Sequence, residues 1–137
     1  GLSNGSMMAY RLAAEAADRI AAVAGVAGAM TLADFAPARP VPVLHIHSVD
    51  DRRALYEGGL GPAPPIGGTR MLHTSVDDML RKWLRHNGCD GQREVSARAR
   101  GVPGSADAEH AATRFAWRGC RGGAEVALWR LEGPGHV

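Results

Sequence analysis

The feature that most constrains the fold is an apolar segment without a polar face. Residues 19–28, RIAAVAGVAG, hold only Ile, Val, Ala and Gly after the first position. Strands that are apolar on both faces occur at the centre of parallel sheets, because helices cover both sides there. The helix-like residues 6–17, SMMAYRLAAEAA, precede this segment, and a second strand-like segment, VLHIH, follows at 43–47. This alternation predicts an α/β fold with a parallel sheet and crossover helices.

The second half of the chain predicts one more helix and three more strands. Ser75 can cap a helix, acidic side chains follow in its first turn, and Gly88 marks its end. Strands are predicted at 94–100, 113–119 and 125–131, and the last two flank a glycine-containing turn that predicts a C-terminal β-hairpin.

Residues 58–68, GGLGPAPPIGG, hold glycine and proline at a density that predicts a surface loop without regular structure. Two interpretations of this loop stay open. It shapes a substrate opening beside Asp51, or it is a solvated connector.

Composition excludes several classes of function. The chain has 137 residues, of which 45% are hydrophobic and 22% charged, as in a soluble globular protein with one core. Its 16 basic and 14 acidic residues are scattered, so we expect no nucleic-acid partner. The longest apolar run, residues 20–30, is too short to span a bilayer, so we expect no membrane insertion. Nothing in the sequence indicates an obligate protein partner.

A serine stands between two glycines in GLSNG, residues 1–5, directly before the first predicted helix. A serine hydroxyl attacks esters when a histidine removes its proton and a carboxylate holds the histidine. Asp50 and Asp51 follow the strand at 43–47, and His136 follows the last strand. The order serine, aspartate, histidine after strands of one sheet predicts Ser3 as nucleophile, one of the two aspartates as acid and His136 as base.

The turn around Ser3 sets further expectations. Side chains at Gly1 and Gly5 are expected to collide with a neighbouring element in a tight strand-to-helix turn. The backbone N–H of Asn4 is then one donor of an oxyanion hole, at the positive end of the helix dipole.

Other histidines and the tryptophans favour structural roles. His45 and His47 share one strand face, which is a possible metal pair, but no third ligand is in view and we expect buried strand histidines and no metal. His73, His86 and His110 are predicted in loops or at a helix end. Three tryptophans fit core or sheet positions better than a polymer-binding platform, namely Trp83, Trp117 and Trp129.

Two cysteines, Cys89 and Cys120, lie in glycine-containing turns. A disulfide between them would close a loop worth about 3.5 to 4 kcal/mol in the chain-entropy model. Two unpaired thiols in a cytosolic protein are the alternative that spacing alone leaves open.

Four sequence blocks resemble the poly(3-hydroxybutyrate) depolymerase and feruloyl esterase family of secreted α/β hydrolases. Residues 1–28, GLSNGSMMAYRLAAEAADRIAAVAGVAG, are similar to the nucleophile block of that family, and residues 40–59, PVPVLHIHSVDDRRALYEGG, to its acid block. KWLRHNGC at 82–89 resembles its cysteine-bearing helix, and GCRGGAEVALWRLEGPGH at 119–136 its histidine block. The blocks stand in the family's order and cover nearly the whole chain.

The resemblance implies roles for individual residues. It implies Ser3 as nucleophile, Asn4 as an oxyanion amide and His136 as base, without metal or organic cofactor. The acid block of the family reads H-G-T-x-D, which aligns Asp51, rather than Asp50, with the acid. It also implies pairing of Cys89 with Cys120. The sequence departs from the family pattern where serine or proline replaces a frequent glycine, at Ser6, Ser48 and Pro134.

Several expectations follow for the whole protein. Residues 1–137 are expected to be a single partial α/β-hydrolase domain that lacks the N-terminal strands and the second oxyanion donor, so that the isolated chain is unstable and nearly inactive. The expected reaction is carboxylic-ester hydrolysis in a secreted or periplasmic enzyme. Expected substrates are hydroxyalkanoate polyesters, with feruloyl or acetyl esters on plant polysaccharide as the alternative. A non-catalytic binding domain and a peptidase of the same fold are further alternatives.

Overall fold

The positions of the helices and strands follow closely from the local sequence signals. The computed structural model describes residues 1–63 and 67–136, and within these ranges neither of the two helices is long and apolar enough to cross a bilayer. The helices are α1 at Asn4–Glu15 and α2 at Val76–Asn87. The strands are β1 at Val23–Val26, β2 at Val43–Ser48, β3 at Gly59–Leu60, β4 at Leu72–His73, β5 at Glu94–Arg100, β6 at Ala111–Trp117 and β7 at Val126–Glu132.

Five strands form one sheet in the order β1-β2-β7-β6-β5, and its two halves differ in direction. β1, β2 and β7 are parallel, whereas β7, β6 and β5 form an antiparallel meander. The domain is therefore mixed α/β, and the predicted parallel sheet with a two-stranded hairpin is too simple. The connections around β6, at 101–110 and 118–125, are shorter than the crossover that parallel neighbours require, so β5 joins the hairpin.

Only one of the two parallel connections contains a helix. The link from β2 to β7 includes α2, as predicted, but residues 27–42 between β1 and β2 contain none. The prolines at 37, 40 and 42 explain this difference, because each removes an amide donor and its ring clashes with a preceding helical turn.

The loop predicted at 58–68 contains regular structure after all. β3 and β4 pair as a short antiparallel ribbon, with Gly59 opposite His73 and Leu60 opposite Leu72. Gly59 adopts a positive φ of 101°, which glycine tolerates at the start of this strand. The part of the predicted loop at 64–66 lies outside the described residues.

One hydrophobic core joins both helices to the sheet. α1 approaches β1 so closely that a Cβ at Gly25 would lie 2.3 Å from Ser6 Oγ. The Ser6 hydroxyl is itself satisfied, because it donates to the carbonyl of Gly28 at 2.6 Å. Trp83 is fully buried, as predicted for a core residue, and Trp117 and Trp129 are half-buried on β6 and β7. The fully buried core side chains include Tyr10, Val41, Val76, Met79 and Val126.

The disulfide between Cys89 and Cys120 is present. Cys89 follows α2 directly, and Cys120 lies in the turn between β6 and β7. The bond therefore ties the C-terminal end of α2 to the antiparallel half of the sheet. The unpaired-thiol alternative is wrong.

A buried amide side chain fixes the segment that leads into β2. Asn87, at the end of α2, is fully buried, and its Oδ1 accepts the N–H of Val41 at 3.1 Å. Its Nδ2 donates to the carbonyl of Val41 at 2.8 Å. One side chain thus satisfies both polar backbone groups of a buried residue that has no strand partner.

Replacing Asn87 by leucine is expected to reduce the free energy of unfolding by about 2 to 4 kcal/mol, because two buried backbone groups lose their partners. Chemical denaturation would measure this loss. Arg85→Ala, on the exposed face of the same helix, is the control and should change stability by about 0.5 kcal/mol or less. Equal effects of the two substitutions would contradict this role of Asn87.

Candidate active site

A strand-like segment on the outer edge of β1 places Ser3. The amino group of Gly1 donates to the carbonyl of Ala24 at 2.7 Å, and the N–H of Val26 donates to the carbonyl of Gly1 at 2.9 Å. The N–H of Ser3 then donates to the carbonyl of Val26 at 2.8 Å. α1 begins at the next residue, so Ser3 occupies a strand-to-helix turn beside the carboxyl end of β1.

The backbone of Ser3 is strained. Its φ of 52° and ψ of −120° lie in a region that non-glycine residues rarely adopt. Such strain persists only when the surroundings hold it, and it is concentrated at functional sites. The Ser3 hydroxyl makes no capping hydrogen bond to α1.

Glycines allow the close packing around Ser3. A Cβ at Gly1 would lie 2.1 Å from the carbonyl oxygen of Gly5, so only glycine fits there. A Cβ at Gly5 would meet no atom within 4 Å, so the collision expected there does not occur among the described residues. Gly28, which the sequence did not single out, is the other tight position, because a Cβ there would lie 2.3 Å from the Ser3 carbonyl oxygen.

Ser3, His136 and Asp51 lie in one hydrogen-bonded row. Ser3 Oγ is 2.9 Å from His136 Nε2, and His136 Nδ1 is 2.8 Å from Asp51 Oδ2. The Asp51 side chain is fully buried, whereas the His136 side chain is 14% exposed. Asp51 follows β2 and His136 follows β7, and these strands are parallel neighbours, so their carboxyl ends meet at one sheet edge.

The charge of Asp51 fixes the direction of these hydrogen bonds. Burial alone would raise the pKa of Asp51, but hydrogen bonds from His136 and from the N–H groups of Arg53 and Ala54 hold it below its ordinary value. The ionised carboxylate only accepts, so His136 Nδ1 carries the proton. In the neutral imidazole Nε2 then accepts the hydroxyl proton of Ser3. This arrangement can activate a serine hydroxyl as a nucleophile.

Asp50 binds backbone near His136 and not its ring. Asp50 Oδ2 accepts the N–H of Gly133 at 2.7 Å. Ser48 Oγ donates to the carbonyl of Pro134 and accepts the N–H of Asp50 at 3.1 Å. The end of β2 therefore holds the loop that carries His136 at two points.

His45 and His47 are buried in the sheet and bond to each other. His45 Nε2 is 3.0 Å from His47 Nδ1, and both side chains are less than 2% exposed. Burial, together with the nearby His47, lowers the pKa of His45 to about 3, and burial also lowers that of His47. Within 1–63 and 67–136 no group of three or more potential metal ligands occurs.

A cleft of about 430 Å³ opens over Ser3 and His136. Asn4 lies at its wall, and the Asn4 N–H has no partner within α1 because it belongs to the first helical turn. Pro62 and Ala63 also line the cleft, so part of the 58–68 loop stands beside the site. The remaining wall is formed by Met7, Arg53, Ala54, Met71 and His73.

Two of these wall residues have no recognisable signal in the sequence. His73, predicted in a loop or at a helix end, lies in β4, where burial lowers the pKa of its imidazole. Arg53 comes two residues after Asp51, but nothing in its spacing indicates that it reaches the cleft. The pairing of β4 with β3 brings His73 there, and strand pairing is a tertiary property.

Comparisons with known proteins give relatives but no family. No protein-family model matches the chain. The whole chain is 34% identical, over 143 aligned residues, to "Putative esterase NocK" of Nocardia uniformis subsp. tsuyamanensis, and it covers 40% of that protein. It is 24% identical to the bifunctional acetylxylan esterase/xylanase XynS20E of Neocallimastix patriciarum, where 99% of the chain aligns with 17% of the relative. The chain thus spans less than half the length of each relative.

Acidification from about pH 7.5 to about pH 5.5 is expected to lower the free energy of unfolding. His45 has a pKa of about 3 in the folded state against an ordinary value of 6.5, so the unfolded state binds more protons in this window. The stability from burying neutral His45 is nearly complete at about pH 7.5 and has fallen by about 1.4 kcal/mol at pH 5.5. His47 contributes in the same direction.

Urea denaturation at the two pH values measures this change. His45→Gln removes one titrating group and should make the loss of stability on acidification smaller. An equal loss in this variant would contradict the assignment to His45.

Proposed function

We propose that the chain carries the reaction centre of a serine carboxylic-ester hydrolase that works through an acyl-enzyme. The observation that carries this proposal is the row of hydrogen bonds from Ser3 through His136 to a buried, ionised Asp51. The row opens onto a cleft large enough for an ester substrate, and the two curated relatives are both named as esterases.

The proposed reaction uses each member of the row in turn. Ser3 Oγ attacks the ester carbonyl while His136 Nε2 takes the hydroxyl proton, and Asp51 stabilises the resulting imidazolium. The N–H of Asn4 donates to the developing oxyanion at the positive end of α1. His136 then returns the proton to the leaving alcohol, and a water molecule activated by His136 releases the acid and restores Ser3.

The proposed fold is the α/β hydrolase, of which these residues form a part. Three parallel strands, a strained serine turn before a helix, and an aspartate and a histidine after neighbouring strands all support this assignment. The chain covers 40% and 17% of its relatives, and apolar side chains of the serine turn and α1 are about half exposed. We propose that further strands in a longer protein cover these side chains and supply the second oxyanion donor, so that residues 1–137 alone are nearly inactive. The exposed side chains are Leu2, Met8 and Leu12.

The proposed substrates are polyesters or oligomers of hydroxyalkanoic acids. Met7, Met71 and Pro62 give the cleft an apolar wall that suits aliphatic ester units. Arg53 adds a cation at the same wall, which suits the carboxylate end of a hydroxyacid oligomer. The second candidate is an acetyl or feruloyl ester on plant polysaccharide, and the similarity to an acetylxylan esterase favours it.

We further propose a secreted or periplasmic location. The disulfide between Cys89 and Cys120 supports it, because such bonds persist in oxidising compartments. Neither proposed reaction step requires a metal or an organic cofactor.

Ser3→Ala in the full-length enzyme is expected to lower kcat on a soluble ester by about 10⁴-fold or more, because the nucleophile is lost. The same variant should fail to react with a fluorophosphonate probe. Ser105→Ala, in an exposed turn, is the matched control and should keep both the rate and the probe adduct. Failure of the wild-type protein to form an adduct would favour the non-catalytic binding domain.

The two substrate classes give different products. We expect the full-length enzyme to release 3-hydroxybutyrate from hydroxybutyrate oligomers with a higher kcat/KM than it releases acetate or ferulate from xylan esters. Arg53→Gln should lower kcat/KM on oligomers with a free carboxylate by about tenfold and leave neutral esters almost unchanged. A preference for xylan esters with no effect of Arg53→Gln would favour the second candidate.

A further inference from the structure

Behind Asp51 lies a chain of buried polar side chains that the proposed reaction does not use. Tyr10 OH is 2.8 Å from His45 Nδ1, and His45 Nε2 is 3.0 Å from His47 Nδ1. His47 Nε2 is 2.7 Å from the carbonyl oxygen of Ala54 and 3.3 Å from Asp51 Oδ2. All three side chains are at most 1% exposed. We call Tyr10, His45 and His47 the polar chain.

The acceptor at one end sets the direction of every hydrogen bond in the polar chain. A backbone carbonyl only accepts, so His47 Nε2 carries a proton. His47 is neutral, because burial lowers its pKa, and its Nδ1 must accept the Nε2 proton of His45. His45 Nδ1 in turn accepts the hydroxyl proton of Tyr10. Three donors therefore point along one path towards Asp51.

The end of this path holds the carboxylate from both sides. Asp51 Oδ1 accepts the N–H groups of Arg53 at 2.8 Å and Ala54 at 2.9 Å. His47 binds the carbonyl of Ala54 and faces Oδ2, the oxygen that His136 uses. Rotation of the carboxylate or opening of the 51–54 turn would break these hydrogen bonds, so the position of Asp51 depends on His47.

The polar chain also closes a ring with the serine turn. Tyr10 and Ser3 lie on or directly before the same helix, α1. Hydrogen bonds run from Ser3 through His136 to Asp51. Asp51 Oδ2 is in contact with His47 Nε2, and hydrogen bonds continue from His47 through His45 to Tyr10. Because this ring closes through α1, it limits the motion of Ser3 relative to the Asp51 carboxylate. Apolar packing would restrain the two groups less, because apolar contacts have no preferred direction.

We propose that Tyr10, His45 and His47 are positioning residues that hold the Asp51 carboxylate against His136 and tie it to the helix that follows Ser3. This inference rests on the proposed function. His47 does not touch the cleft, so its effect is expected on turnover and not on substrate binding.

The groups that face this region come from several elements. Three histidines face the Asp51 carboxylate. They are His47 of β2, His136 of the segment after β7 and His73 of β4. Arg53 follows Asp51 in the same turn. His45 faces Tyr10 from α1. Any change of pH dependence in a polar-chain variant is therefore compared with variants of His73 and Arg53.

The test compares two substitutions of His47 in the full-length enzyme. His47→Leu removes the donor, and we expect kcat to fall by about tenfold or more with KM unchanged, because an unheld carboxylate stabilises the imidazolium of His136 less. In a plot of kcat/KM against pH, the acid limb should move to lower pH by about half a unit or more, because a less stabilised imidazolium loses its proton more readily. His47→Gln, whose amide can donate from the Nε2 position, should recover most of kcat and the original limb. Tyr10→Phe should give a smaller shift in the same direction.

Controls separate this inference from simple destabilisation and from the proposed function. Val126→Ala weakens the same core without touching a polar group and should leave the acid limb at its wild-type pH. His73→Gln and Arg53→Gln change groups that line the cleft, and they give the size of the shift that such neighbours produce. If Ser3→Ala keeps the wild-type rate, the proposed function itself is wrong. If Ser3→Ala is inactive but His47→Leu retains the wild-type kcat and acid limb, the positioning role alone is overturned. Equal losses in His47→Leu and His47→Gln, with no shift of the limb, would also overturn it.

Discussion

The parallel pairing of β2 with β1 on one side and β7 on the other is the constraint on which the site depends. Parallel strands end at the same edge of a sheet, and here three separate stretches of chain arrive at that edge. Ser3 enters beside β1, Asp51 leaves β2, and His136 follows β7. Residues that are 133 positions apart in the sequence thereby come within hydrogen-bonding distance. A shift in register between β2 and β7 would separate the imidazole from the carboxylate.

The site contains a strained serine backbone and buried polar side chains, and both are unfavourable unless the surrounding structure stabilises them. The positive φ of Ser3 is held by a backbone hydrogen bond to Val26 and by the close approach that Gly1 and Gly28 permit. Desolvation of Asp51 opposes its ionised form, and three hydrogen-bond donors outweigh that cost. His45 and His47 in β2 can be buried because each of their four ring nitrogens has a hydrogen-bonding partner. Buried polarity around this edge is therefore satisfied and directional.

Three residues that differ from the pattern of the resembled family make specific contacts in the tertiary structure. Ser48 and Pro134, which replace frequent glycines, contact each other through the serine hydroxyl and the proline carbonyl. Asp50, the neighbour of the proposed acid, binds the amide of Gly133 in the same loop. The loop that carries His136 is thus attached to the end of β2 by the side chains of Ser48 and Asp50. A glycine at position 48 would lose the first of these two contacts. Ser6, the third departure, satisfies the Gly28 carbonyl beneath the serine turn.

Local signals in the sequence determined the helices, the five strands of the main sheet and the caps of α2, because these depend on periodicity, capping residues and glycine within a few positions. The sequence also determined the candidates Ser3, the pair Asp50 and Asp51, and His136, since their order along the chain and their place after predicted strands require no knowledge of distance. Only the family resemblance preferred Asp51 over Asp50. Only the tertiary structure decided that the sheet is mixed, that Gly28 rather than Gly5 is sterically required, and that Arg53 and His73 reach the cleft. It also decided the partners of His45 and His47. Strand pairing, close backbone approach and side-chain hydrogen bonding are set by residues far apart in the chain, and a local pattern carries no information about which of them meet.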